Sequence, residues 1–540
     1  MSDAAESDGT GLASLSPFEL KDRLVAIASS DDQRLMLNAG RGNPNFIAMA
    51  PRRGLIALGE FAMAEAERAH AYPGGTFGSI PDGRGITERF RSQASGRAER
   101  AGIAFLTDAL AYCATEFFID TDALLTEMVC AFLGCNYPTP PRMLSHSETI
   151  VRAYLTGELF GTLAPAGPFS LFATEGGTAA MVYLFQTLSA NHLISPGDKV
   201  AIATPIFSPY IEIPPLDPYG LEIVEIRMDP RDDWQLPETE IEKLLDPTVK
   251  LLCLVNPSNP PSTKLSGAGI AQLGELVDHH RPDLMIVTDD VYATFADAFV
   301  SLFARCPRNA ICVYSFSKYF GATGWRLGAI AVHDDNVFGD ALAGLPDAAR
   351  QQLAIRYASL TTDAGGLRFI DRLVAESRGV ALSHTAGLST PAQLQMTLFA
   401  LSGLMDSDHT YKNAAQSLIR SRHRTLFTSM GLDAGRGAND VGYYALIDLA
   451  EVGGALYGSP FAAWITGRKL ATPYVFRLAR ETGVVLLPAA GFDGGDTSAR
   501  ISLANLTEEQ YGEIGRCTRL VLDEYFKEFK RQPGTAQETW

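Results

Sequence analysis

From residue 169 to residue 314 short, largely uncharged apolar runs alternate with amphipathic stretches. The apolar runs are residues 169–173, 199–203, 250–255, 284–288 and 310–314. Strands buried on both faces read as continuous hydrophobic runs, and their alternation with helices predicts a mainly parallel sheet covered on both sides. Such a sheet binds its ligand outside the carboxyl ends of the strands. The residues that directly follow each run are therefore the candidates for chemistry.

Those residues are distinctive. Thr174-Glu-Gly176-Gly177-Thr178 leaves the first run and opens a helix, where free N–H groups and the helix dipole attract an anion. Alone, Gly-Gly before a helix is more often a plain turn. The dinucleotide alternative needs G-x-G-x-x-G after a strand; Gly83-Arg-Gly85 follows none and is discounted. Thr204-Pro-Ile-Phe207 ends the second run, with a core phenylalanine as the plainer reading. Asn256-Pro-Ser-Asn259-Pro-Pro ends the third, where two Asn-Pro steps also suit a turn. Thr288-Asp289-Asp290-Val-Tyr292 ends the fourth. An acidic pair there often binds metal, but no histidine or further carboxylate stands at a useful spacing, so no metal is expected. Tyr314-Ser315-Phe-Ser-Lys318 ends the fifth, with Arg326 beyond it among Gly321, Gly324 and Gly328.

Five such signals in this order resemble the fold-type-I pyridoxal-phosphate enzymes of the aspartate aminotransferase superfamily. The resemblance implies an α/β fold: a mainly parallel seven-stranded sheet, a smaller α+β domain, and here helical insertions. It implies that Lys318 bonds the cofactor aldehyde and that Ser315, Arg326, Gly176, Gly177 and Thr178 hold its phosphate. It places Phe207 on the ring face, Asn259 and Tyr292 at the phenolic oxygen, and Asp289 at the ring nitrogen, which it keeps protonated. Arg500, in Ser498-Ala-Arg500-Ile-Ser, matches the arginine that takes the substrate α-carboxylate, a role suited to a planar fork. Tyr72, ahead of Ile80-Pro81, matches a tyrosine that reaches the phosphate of a neighbouring subunit.

Across nearly the full chain the plan resembles the aspartate 4-decarboxylases, most clearly at Gly40-Arg41-Gly-Asn43-Pro-Asn45, at residues 317–326 and at Ser383-His-Thr-Ala-Gly-Leu-Ser-Thr390-Pro-Ala-Gln393. Ordinary aspartate aminotransferases carry an arginine for the distal carboxylate shortly before that proline. Here the stretch has none, and the nearest upstream is Arg378. The resemblance implies β-decarboxylation of L-aspartate to L-alanine and CO2, with transamination as a side reaction. Arg41 is a substrate-side group in the same scheme. A tight guanidinium pair on the β-carboxylate would stabilise the ground state and oppose CO2 loss. Two other readings stand beside it. One is a class I aminotransferase acting on an acidic or aromatic amino acid. The other is a non-enzymatic relative like the aminotransferase-like domain of some transcription regulators, whose N-terminal helix-turn-helix residues 1–40 do not show.

The chain has 540 residues, too many for one simple core. The expected division is an N-terminal arm with part of a small domain (1–70), a large cofactor domain (71–385) with helical insertions at about 85–140 and 336–385, and a small C-terminal domain (386–540). Residues 85–132 read as mostly helical, and capping boxes are expected at Ser16 and Thr390. A net charge of -17 argues against nucleic-acid or anionic-membrane partners. No run reaches the roughly 18 apolar residues a membrane helix needs. Residues 1–11 show no signal-peptide pattern. Seven scattered cysteines with no CxxC read as thiols in a reducing cytoplasm. The resemblance adds an amino-acid substrate, a homodimer with shared active sites and assembly into a larger homo-oligomer, since the decarboxylase family forms dodecamers.

Overall fold

A computed structural model describes residues 17–30, 34–70, 77–97 and 100–532. Its central sheet holds β1 (Phe169–Thr174), β2 (Lys199–Thr204), β3 (Glu222–Arg227), β4 (Val249–Val255), β5 (Met285–Asp289), β6 (Ala310–Ser315) and β7 (Gly328–His333). Their order is β1-β7-β6-β5-β4-β2-β3. Only β7 runs against its neighbours; the other pairings are parallel. Every residue of β1, β5, β6 and β7 is buried, as the unbroken apolar runs predict. The five expected strands are present. β3 and β7 are additions. β3 carries charges at Glu222, Glu225 and Arg227 and lies at the sheet edge, so it lacks the continuous apolar signature. β7 follows the glycine-rich stretch after Lys318 with no amphipathic unit before it, because an antiparallel neighbour needs no crossover helix.

The stretch expected to be helical holds three helices, Ile86–Ala94, Ala101–Glu116 and Thr121–Leu133. Thr121–Leu133 is capped by Asp120, which accepts from the N–H groups of Asp122 and Ala123. The charged segment after β7 forms Val337–Ala343, Asp347–Arg356 and Phe369–Glu376. The helix Thr390–Leu404 lies against Ser145–Leu159, Met49–Arg68 and Thr121–Leu133. Its expected capping box does not form. Gln393 is buried and spent elsewhere: its Oε1 accepts from Leu144 N at 2.8 Å, and its Nε2 donates to Leu388 O at 2.6 Å. Ser16 lies outside the described residues.

A smaller antiparallel sheet holds β8 (Tyr444–Asp448), β9 (Leu487–Pro488) and β10 (Ser498–Ser502) in the order β9-β10-β8. Beside it Leu37–Asn38 pairs in parallel with Val484–Val485. That pairing carries the loop of residues 39–45 across to the large sheet. Asn45 N donates to Ala504 O at 2.9 Å, and Arg422 Nη2 donates to Asn45 Oδ1 at 2.7 Å. Arg52 at the start of the next helix donates to the Phe320 and Gly321 carbonyls. Among the described residues no helix is long and apolar enough to cross a membrane, and no group of three metal-binding side chains occurs. All seven cysteines are free.

Candidate active site

The carboxyl ends of β1, β2, β4, β5 and β6 meet the 39–45 loop, β8 and β10 around a cavity of about 380 Å3. Four expected groups gather at one end: Gly177, Thr178, Ser315 and Arg326. The helix Gly177–Ala190 starts there, so its unpaired N–H groups face the cavity. Gly176 precedes it at φ +86°, and a Cβ there would lie 2.6 Å from Arg326 Nη2. Only glycine fits both demands. Arg326, itself at φ +58°, donates to the carbonyls of Thr323 and Glu175 at 3.1 and 3.2 Å. Ser315 Oγ lies 3.0 Å from Ser317 Oγ. The result is an anion cradle of backbone N–H groups, two hydroxyls and a guanidinium.

Lys318, Asp289, Tyr292, Asn259 and Phe207 also line the cavity. Lys318 Nζ donates to Gly42 O at 3.1 Å. Asp289 is buried and accepts from Tyr210 Oη at 3.1 Å and Val291 N at 3.2 Å. Burial pushes its carboxyl up to about 6, against the pull of those hydrogen bonds and of Lys318. Asp290 does not line the cavity. It is enclosed by Thr288, Ser301 and Cys312, and burial pushes it up to about 7. The acidic pair is thus split between two environments by strand alternation.

Arg500 is 6% exposed. Its guanidinium lies between the rings of Tyr444 and Phe492, 4.6 and 4.5 Å from their centroids. It donates to Asn259 Oδ1 at 3.1 Å and to Gly40 O at 2.8 Å, and its Nε has no hydrogen-bond partner. Arg41 lines the mouth and is exposed. Arg378 is a correction to the expected substrate contacts. It does not line the cavity; it pairs with Glu175 at 3.0 Å and donates to Tyr183 Oη at 3.1 Å. The helix Phe369–Glu376 ends just before it, which aims its side chain along the outer surface of the cradle. Tyr72 lies outside the described residues. The cavity also recruits Gly42, Asn43, Ser317 and Tyr444. Ser317 sits inside the lysine motif and was there to be read. Tyr444 opens a strand of the small sheet, far from every motif.

Comparison with known proteins agrees with this layout. A Thermus thermophilus aspartate aminotransferase double mutant superposes with a TM-score of 0.59 at 17% identity, covering 94% of this chain and 96% of its own. That likeness shows the fold. The family model for class I and II aminotransferases matches residues 164–515. The chain belongs to that family. Within it, a Mycobacterium tuberculosis valine–pyruvate aminotransferase is 34% identical over 25% of this chain and 34% of its own length. A Pseudomonas sp. bifunctional aspartate aminotransferase and L-aspartate beta-decarboxylase is 51% identical over 97% of this chain and 98% of its own. Class I and II aminotransferases work with pyridoxal phosphate, and this cavity fits it. The anion cradle and a primary amine line the same cavity, and the buried Asp289 carboxyl, pushed up by burial, faces it as an acceptor for a cationic ring nitrogen.

Proposed function

We propose that this chain removes the β-carboxyl group of L-aspartate, giving L-alanine and CO2, with aspartate transamination as a side reaction. The observation that carries this reading is the full-length likeness to the Pseudomonas bifunctional enzyme. In this reading the cradle of Gly176, Gly177, Thr178, Ser315 and Arg326 holds the phosphate, and Phe207 covers the ring. Asn259 and Tyr292 meet the phenolic oxygen, and Asp289 pairs with the ring nitrogen. When bound, pyridoxal phosphate supplies the aldehyde that takes up the substrate amine and the ring that accepts the electron pair released at its α- and β-carbons.

Arg500 and Asn259 hold the α-carboxylate and so turn the α-hydrogen toward Lys318. Lys318 Nζ, once free, takes the α-proton and returns it. A cationic ring nitrogen would favour the ionised form of Asp289, and that carboxylate would in turn keep the nitrogen protonated. The β-carboxylate points toward Arg41, an exposed loop residue that leaves this carboxylate loosely held. Val255, Met181 and Val291 give the cavity apolar walls that limit water. Water in the site would divert the reaction to oxaloacetate, so water exclusion sets the ratio of products.

The test is L-aspartate with protein and pyridoxal phosphate and no keto acid. Sustained CO2 and L-alanine formation supports decarboxylation. Turnover that requires a keto acid would leave a class I aminotransferase. The same reading includes a homodimer with shared sites, built into a larger homo-oligomer in a reducing cytoplasm. Its support is an apolar face: Met49, Ile56 and Met63 are half or more exposed at a seven-residue spacing on one helix.

A further inference from the structure

Tyr444 reaches the cavity from the small sheet and touches three of its working parts. Its hydroxyl lies 3.0 Å from the hydroxyl of Tyr292, and both residues are buried. Its ring lies under the Arg500 guanidinium at 4.6 Å. Its hydroxyl also fills the space beside Gly42: a Cβ there would lie 2.1 Å from Tyr444 Oη and 3.3 Å from Lys318 Nζ. If Tyr444 were only core, a phenylalanine would serve as well, and the hydroxyl would be a buried polar group with nothing to do.

The hydrogen-bond count gives the hydroxyl a direction. Each phenol has one proton. If Tyr292 donates its own to the phenolic oxygen of the cofactor, the bond between the two tyrosines must run from Tyr444 to Tyr292. Donors in series polarise one another, so the second donates more strongly for the presence of the first. The other charged or titratable groups that face this pair are Lys318, Asp289, Tyr443, Arg500 and Arg41. Burial opposes ionisation of Tyr444, yet Lys318 and Arg500 hold its phenol below the usual range.

We propose that Tyr444 is a positioning residue for this reaction: its hydroxyl orients the Tyr292 proton toward the cofactor, and its ring holds the Arg500 guanidinium in line for the substrate α-carboxylate. The proposal rests on the cofactor placement given above. Its two halves separate by substitution, because Tyr444→Phe removes the hydroxyl and keeps the ring, whereas Tyr444→Leu removes both.

The first measurement is the visible absorbance of the cofactor-loaded protein against pH, for wild type, Tyr444→Phe, Tyr292→Phe and the double variant. Weaker donation leaves the phenolic oxygen richer in electrons and holds the proton on the Lys318 linkage more tightly. The midpoint should rise by roughly half a pH unit in Tyr444→Phe and further in Tyr292→Phe. The double variant should match Tyr292→Phe alone, since the effect passes through Tyr292. An unmoved midpoint in Tyr444→Phe, or additive shifts in the double variant, overturns the hydroxyl role. The second measurement is the affinity for a non-reacting dicarboxylate such as succinate. Loss of a cation–π contact in Tyr444→Leu should weaken it about tenfold, with Tyr444→Phe close to wild type. Equal affinities in Leu and Phe variants overturn the ring role. A wild type with no pH-dependent visible band overturns the cofactor placement, and the proposal with it.

Discussion

At Asp289 the protein buries a carboxyl group that faces the cavity. Burial raises it to about 6 from an ordinary value of 3.8. Between those two pH values the folded state binds more protons than the unfolded state. Stability therefore falls as pH rises through that window, and the whole penalty is present above 6. Asp289→Asn should stabilise the cofactor-free protein by about 1–3 kcal/mol at pH 7.5, with the gain vanishing toward pH 4. Denaturant unfolding at the two pH values checks it, and equal stabilities at pH 7.5 would contradict it. Asp289→Ala, lacking the charge that faces the ring nitrogen, should slow turnover by several kcal/mol in barrier, on the order of a removed preorganised charge. Lys318 gives a second residue-scale test. Borohydride should fix the cofactor to a single peptide, and a labelled peptide without Lys318 would refute its assignment.

The 39–45 loop shows how an element does what its residues do not announce. The composition Gly-Arg-Gly-Asn-Pro-Asn marks a loop, and the resemblance places it near substrate. The structure adds that its carbonyls are the binding groups: Gly40 O accepts from Arg500, and Gly42 O accepts from both Lys318 and Tyr443. Gly42 has no room for a Cβ because Tyr444 Oη stands 2.1 Å from where it would go. Gly42→Ala should push the loop off the cavity and lower kcat/KM by about tenfold or more, since overpacking costs about 1–3 kcal/mol. Near-normal kinetics would mean the loop yields freely. Arg41 in the same loop bears on product choice. Arg41 lines the mouth of the cavity, so Arg41→Ala should admit water and lower the ratio of alanine to oxaloacetate formed from L-aspartate, and measuring both products in one assay decides it.

Across the whole molecule, Met49, Ile56 and Met63 are exposed on the helix that follows this loop, and the proposed assembly would bury them. Arg52 on that helix grips the Phe320 and Gly321 carbonyls just beyond Lys318, so the same helix adjoins the active site. Ile56→Glu with Met63→Glu should lower the assembled mass in sedimentation and lower specific activity with it. An assembly unchanged by both charges would show that this face meets solvent.

What the sequence determined by itself is local and repetitive. Apolar runs bounded by turn residues specify buried parallel strands, and the residues just past each run specify the ends where a ligand binds. Thus Gly177, Asn259, Asp289, Lys318 and Arg326 were legible one by one. Only the tertiary structure decided the rest. It sent Gln393 to Leu144 instead of a helix cap, turned Arg378 to Glu175, faced Asp289 inward and Asp290 away, and brought Tyr444 to Tyr292 across a separation of 152 residues. Those outcomes depend on which surfaces meet after the two sheets dock, and pairwise contact between distant segments leaves no periodic trace in either one.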